Sequence, residues 1–175
     1  MSPRPPLGIA NNNPGNIRPT PTMEKNPFIG TVPESLKEDY LKFEAPYFGI
    51  RASGVCVLQA HLIHGVDTLL ALGDLWAPIE DNPKSFPGDY GKDLGRILLI
   101  DPSKNIDFNL WLESILHAFF THENGKDPFN YVPSWYPPIL YGAGCDAARY
   151  HLKIPFKSFT NASPSRFIIR INRGV

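Results

Sequence analysis

The chain lacks long hydrophobic runs, has little cysteine and carries no net charge, and each shortage removes a class of function. Its first ten residues hold four apolar side chains broken by three prolines, so neither a signal peptide nor a membrane span is expected. Seventeen acids against seventeen lysines and arginines create no overall field to attract nucleic acid. Cys56 and Cys145 are the only cysteines and fit no metal-ligand pattern. Two separate thiols is the first reading; a disulfide, and with it an oxidising destination, is the alternative. Nothing resembles HExxH, and "GAG" at 142–144 lacks the lysine of a phosphate-binding loop. His61 and His64 share a helix but want a third ligand, while Cys145 and His151 are spaced without support for a thiol–imidazole pair. No metal and no cofactor is expected.

Proline and glycine are abundant instead, at 19 and 14 residues, which predicts short elements joined by stiff, ordered loops. Residues 18–34, with four prolines, read as a surface loop touching a short strand at Leu41 to Phe43. Where prolines thin out, helical spacing begins. Arg51, Val55, Leu58 and Leu62 recur on one face between Ile50 and His64, and Gly65 is placed to end that helix. Asp67 or Thr68 can cap a shorter helix through "LLALGDLW", stopped by Pro78. Asp89 can cap a third, with Tyr90, Leu94, Ile97 and Leu98 on its apolar side. The clearest is "DFNLWLESILHAFFTHENG", capped by Asp107 and closed by Gly125, with Leu112, Ile115, Leu116, Phe119 and Phe120 as an inward stripe. The expected fold is therefore mainly α with little β. It comprises one helical domain over residues 8–150, an N-terminal extension at 1–7 and a basic C-terminal extension at 151–175. That last segment holds Lys153, Lys157, Arg166, Arg170 and Arg173 without an acid, and its "RFIIRI" is strand-like. It reads as an edge strand or as an extension that docks on a partner.

Glu123 is the acid whose position asks for chemistry. It continues the apolar stripe of Leu116 and Phe119 and sits in the last helical turn. There the helix dipole disfavours negative charge and partial burial adds to the effect. Both favour a carboxyl that keeps its proton, which is what protonation of a leaving glycosidic oxygen requires. The competing reading is a glutamate that curls to solvent or accepts from the "NGKDP" turn. Glu80 and Asp81 follow Trp76 in a proline-bounded loop, where an aromatic can stack a sugar and a carboxylate can polarise water or stabilise positive charge. A solvated acidic loop behind a core tryptophan fits the same residues. At the other end, "GIANNNPGNIRP" crowds four asparagines around Pro14 and Gly15. They either shape a turn through their own hydrogen bonds, capping the helix at Ile50, or present amides outward.

Taken together, "GIANNNPGNIR", "FGIRA" at 48–52, Thr68 with "WAP" at 76–78, Tyr90 and "HENG" at 122–125 resemble a family of small phage and prophage proteins. Its members carry an N-terminal GIRNNNPGNIR stretch and a downstream HENG. The match runs from residue 8 to about 129, with Ala10 where arginine is usual. Such proteins are virion components or lie among lysis functions, and the asparagine loop is similar to that of lysozyme-like peptidoglycan glycosidases. In those enzymes the acidic helix precedes the loop; here Glu123 follows it, so an equivalent site needs a permuted order. The resemblance implies a lysozyme-like domain that cleaves peptidoglycan strands, as a muramidase or lytic transglycosylase with Glu123 as the acid. Asn13 and Asn16 would meet N-acetyl groups, Arg18 or Arg51 the lactyl carboxylate, and Tyr47, Trp76 and Tyr90 would line the groove. It equally implies a noncatalytic virion structural or assembly protein, with the basic extension contacting a virion or secretion-apparatus protein. Either way the expected location is the virion, or the bacterial periplasm and cell wall reached by a signal-independent route.

Overall fold

The structure, a computed structural model, describes residues 4–78 and 88–155. It is mainly α: among the described residues the β pairing is one isolated antiparallel bridge, Thr31 to Phe43. A single turn, α1 (Leu7–Ala10), precedes the asparagine-rich segment, and a 3-10 turn at Pro33–Lys37 interrupts the proline-rich loop.

The central helix α2 (Pro46–His64) starts with proline at its first position, four residues before Ile50, and ends at Gly65 with φ 66°. Proline there gives up an N–H that has no helical partner, and glycine accepts the left-handed angle. Residues 49–55 of α2 are all buried, so this helix is covered on every side and does not present a single stripe. Leu62, expected in the core, is 54% exposed, because the last turn of α2 runs beyond the helices that cover its middle. Helix α3 (Leu69–Trp76) is capped by Thr68, whose hydroxyl accepts from Ala71 N at 3.2 Å. Helix α4 (Asp89–Leu98) packs on α3. Its cap is Gly88, not Asp89: at φ 78° Gly88 turns the chain, and its N–H donates to Asp74 Oδ1 at 2.7 Å. Asp89 is the first helical residue and pairs with Lys92 at 3.2 Å. Ile97, expected on the apolar side of α4, is 40% exposed, whereas Leu94 is fully buried.

Helix α5 (Phe108–Asn124) has the ends that its sequence predicts. Asp107 accepts from the Asn109 and Leu110 N–H groups, and Gly125 closes the helix at φ 79°. Helix α6 (Ile139–His151) was not expected. It has no capping side chain and carries Gly142 and Gly144, so propensity and caps are both weak. Its tertiary contacts are strong. A Cβ on Gly144 would lie 2.6 Å from Ile50 Cγ2, so the missing side chain is what lets α2 and α6 approach. Buried Arg149 donates from Nε to Asn109 Oδ1 at 2.7 Å and from Nη2 to Asn109 O at 2.6 Å, fastening α6 to the start of α5.

Ile50, Leu58, Leu112, Leu116, Phe119 and Phe120 are fully buried in the main core. Each contributes about 1.5–3 kcal/mol of transfer free energy. A smaller cluster of Ile17, Leu41, Phe43 and Ala52 seats the asparagine segment on α2. Leu152 and Ile154 also pack against the main core. Lys153 is exposed; Lys157, Arg166, Arg170, Arg173 and "RFIIRI" lie outside the described residues. Among those described, no single helix is long and apolar enough to cross a membrane, and α2 with α3, which together reach that length, are bent by 112°.

Candidate active site

The asparagine turn is built from the inside. Asn13, 1% exposed, donates to the carbonyls of Ile17 and Leu41, both at 2.9 Å, and its Oδ1 accepts from Ile17 N at 3.0 Å. Asn12 donates to Phe43 O at 2.9 Å. These two amides close the turn on itself at Ile17 and fasten it to the segment of Leu41 and Phe43. Neither caps α2, whose cap position is Ala45 with no side-chain bond. Two glycines bring loop and helix together: a Cβ on Gly49 would lie 1.9 Å from Asn12 O, and one on Gly15 would lie 2.6 Å from Ser53 Oγ.

Asn16 behaves differently. In the left-handed region at φ 51°, it turns its amide to α5 and donates to Glu123 Oε2 at 2.8 Å. Tyr90, from α4, donates its hydroxyl to the other oxygen, Oε1. The next residue, Asn124, donates to Pro14 O at 2.8 Å and to Phe120 O at 2.9 Å. The end of α5 therefore grips the asparagine turn through consecutive side chains. Glu123 is half-buried, and each of its oxygens accepts one of these two bonds. Burial first, then the charge and the bond of Glu123, push the Tyr90 phenol well above its ordinary 10.0. Tyr90 is thus a fixed proton-bearing donor near neutrality, and it orients the carboxylate.

The Tyr90 ring lies 5.3 Å from Phe119 and 4.0 Å from His122. His122 Nδ1 is 3.4 Å from Asp93 Oδ2, and both side chains are partly exposed. Asp93 is the functional candidate that sequence reasoning missed. Its only sequence signal is a position three residues after Tyr90, hence on a neighbouring face of α4. Trp76 packs edge-on against Phe119 at 4.6 Å and is half-buried, so it reaches the same edge through Phe119. Arg18 is exposed, with its guanidinium 5.5 Å from the Tyr40 ring centre. Tyr47 meets Phe48 edge-on at 5.4 Å. Arg51 is 6% exposed, and lies about 200° around α2 from Gly49 and Ser53, the residues that face the turn. Of the residues predicted for the site, Asn16 and Tyr90 contact Glu123. Glu80 and Asp81 lie outside the described residues.

A second polar cluster ties α5 to α6. His117 Nδ1 is 2.5 Å from Asp127 Oδ2, Tyr141 donates to Asp127 Oδ1 at 2.9 Å, and the His117 and Tyr141 rings stack 3.8 Å apart. Burial works to raise the Asp127 carboxyl, but the bond and charge of His117, the Phe129 N–H and the Tyr141 hydroxyl hold it below its ordinary 3.8. Both cysteines are free, Cys145 buried and Cys56 half-buried. Burial pushes each thiol up to about 12, so neither supplies a thiolate near neutrality. Among the described residues no three His, Cys, Asp or Glu side chains converge to hold a metal ion. The chain matches no family model, and no curated protein matches it.

Proposed function

We propose that the protein cleaves the glycan strands of bacterial peptidoglycan, with Glu123 as the group that protonates the leaving glycosidic oxygen. The observation that carries this reading is the double grip on one half-buried carboxylate, by Asn16 from the asparagine turn and Tyr90 from α4. A structural glutamate at a helix end needs only solvent. This one is fixed in position by groups from two distant segments; both its oxygens accept here, so to protonate the glycosidic oxygen it must first take up a proton and release one of the two donors to the substrate. Trp76, half-buried against Phe119, is the aromatic surface for a sugar ring at this edge, while Tyr90 holds the acid. A lytic transglycosylase needs a single acid, which then serves as the base, so one carboxylate suffices. Asp93, which pairs with Arg96 at 2.8 Å and approaches His122 at 3.4 Å, is a candidate for a second, electrostatic role at this edge.

The test uses purified protein and intact sacculi, with soluble fragments analysed by mass. Wild type should release fragments, and Glu123→Gln, which keeps shape but cannot donate a carboxyl proton, should lose about 10²–10⁴ in rate. Anhydro-sugar ends identify a transglycosylase and reducing ends a hydrolase. Release of neither by folded wild type would sink the catalytic reading and leave the noncatalytic virion role.

A further inference from the structure

Beside α1, at the start of the asparagine turn, lies an open cavity of about 500 Å³. Leu7 and Asn11, one helical turn apart, form one wall, and the segment around Lys37, Asp39 and Tyr40 forms the other. The chemistry of these walls is mixed in a definite way. Leu7 offers 57% exposed apolar surface. Lys42 and Glu38 neutralise each other at 2.7 Å, whereas Lys37 and Asp39 are exposed and make no ion pair among the described residues. The Arg18 guanidinium lies over the Tyr40 ring.

Asn11 decides what the cavity is for. It is 9% exposed and lines the cavity. Its neighbours Asn12, Asn13 and Asn16 all have side-chain partners, but the Asn11 amide makes no hydrogen bond among the described residues. Asn11 is nine-tenths buried as a residue, but its amide nitrogen and oxygen keep access to the cavity, where solvent or a ligand meets them. It presents one donor and one acceptor side by side, which is complementary to a peptide group. The flanking ammonium of Lys37 and carboxylate of Asp39 are complementary to a ligand carrying both signs of charge.

We infer that this cavity binds the peptide stem of the peptidoglycan substrate, with Asn11 pairing to a stem amide, Lys37 to a stem carboxylate and Asp39 to its ammonium group. The inference rests on the proposed action on peptidoglycan. It also follows the layout of the molecule. Gly8, between Leu7 and Asn11, abuts the side-chain oxygens of Asn16 and Asn124 on the Glu123 side; a Cβ there would lie 2.7 Å from each. One turn of helix therefore separates the stem cavity from the carboxylate, as the stem branches from the sugar beside the bond to be cut. Binding a stem puts remote binding energy at the disposal of the glycosidic bond.

Two measurements on the full chain test this. A soluble four-residue stem peptide is titrated calorimetrically into wild type, Asn11→Leu and the charge-reversed pair Lys37→Glu/Asp39→Lys. Fragment release is then compared on intact sacculi and on sacculi stripped of stems by an amidase. Saturable binding to wild type is expected, weakened at least about tenfold in each variant, as befits loss of one buried hydrogen bond or of two charges. Intact sacculi should be cut faster than stripped ones, and both variants should shrink that preference. No saturable binding, or equal binding by the charge-reversed protein, overturns the inference, even should Asn11→Leu fail to fold. If neither polymer is cut, the proposed activity falls while the titration still decides the cavity.

Discussion

Asn16 donates its side-chain amide to Glu123 Oε2 at 2.8 Å, joining residues 107 positions apart. The contact exists because Asn16 takes a left-handed backbone angle, φ 51°, which asparagine tolerates better than most residues. The turn and the acid are thereby one unit: the backbone conformation of the loop determines where the carboxylate stands.

Backbone and amide contributions at this position can be separated. Asn16→Gly keeps the left-handed angle and loses the amide; Asn16→Ala loses the amide and strains the backbone. The glycine variant should lose roughly 1–2 kcal/mol, and the alanine variant about 1 kcal/mol more. Denaturant unfolding of both proteins measures the difference. Equal stabilities would mean that the angle is not a constraint.

The close approach of α2 to the turn gives a sharper expectation. A Cβ on Gly49 would sit 1.9 Å from the backbone oxygen of Asn12, and backbone cannot step aside as a flexible side chain can. Gly49→Ala should cost about 2–3 kcal/mol by overpacking. It should also disturb the proton signals of Asn12 and Asn16 in NMR spectra, since the turn must lift from the helix. A protein of unchanged stability would show that the loop yields freely.

Much of this arrangement was legible in the sequence, and the exceptions have physical causes. The Asp107 cap, the Thr68 cap and Gly65 act locally, so the ends of α5, α3 and α2 could be read from short windows. The α5 stripe from Leu112 to Phe120 is buried as its period requires. Leu62 escaped because the cover that buries residues 49–55 does not extend to the last turn of α2, where residues 62–64 are exposed. Helix α6 escaped because its signal is tertiary: Gly144 lowers propensity while admitting Ile50, and Arg149 finds its partner, Asn109, 40 residues away. The partners of Glu123 follow the same rule. Its position at a helix end was visible, but Tyr90 and Asn16 reach it only after α4 and the turn are packed.

Arg149 therefore makes a test of long-range fastening. It is 7% exposed and its guanidinium fork serves the side chain and backbone of Asn109 and the carboxylate of Asp146. Arg149→Lys keeps the charge but cannot reproduce the fork. A loss of about 2–3 kcal/mol is expected, since buried acceptors on Asn109 lose a charged donor. Hydrogen exchange should show α6 amides opening first. Uniform destabilisation without preferential exchange in α6 would contradict the fastening role.

The Asp127 cluster sets a pH dependence with a definite sign. Its folded carboxyl is held below the ordinary 3.8, against the opposing effect of burial, by His117, Phe129 and Tyr141. A depressed folded value stabilises the protein at pH above the unfolded value and loses that contribution as pH falls through the folded one. Wild type should exceed Asp127→Asn in thermal stability by a constant margin from about pH 5 to 6. The margin should then shrink below about pH 4 as the carboxyl takes up its proton. A margin that persists undiminished at pH 2 would show that charge at Asp127 is not the cause.

The Tyr90–Glu123 bond is open to a double-mutant cycle. Tyr90→Phe keeps the ring against Phe119 and His122 and removes only the donor. Glu123→Gln keeps the shape of the acceptor and removes its charge. If the phenol's main partner is this carboxylate, the two substitutions should not add: the coupling in unfolding free energy should reach roughly 1–3 kcal/mol, the range for contacting residues. On the proposed function, Tyr90→Phe should also slow cleavage of sacculi, chiefly in kcat with KM little changed, because the phenol orients the acid and need not touch the sugar. A fall in KM-limited rate alone would instead assign Tyr90 to the groove wall. A coupling near zero would mean that Tyr90 supports the fold through its ring, and Asn16 would be left as the group that positions Glu123.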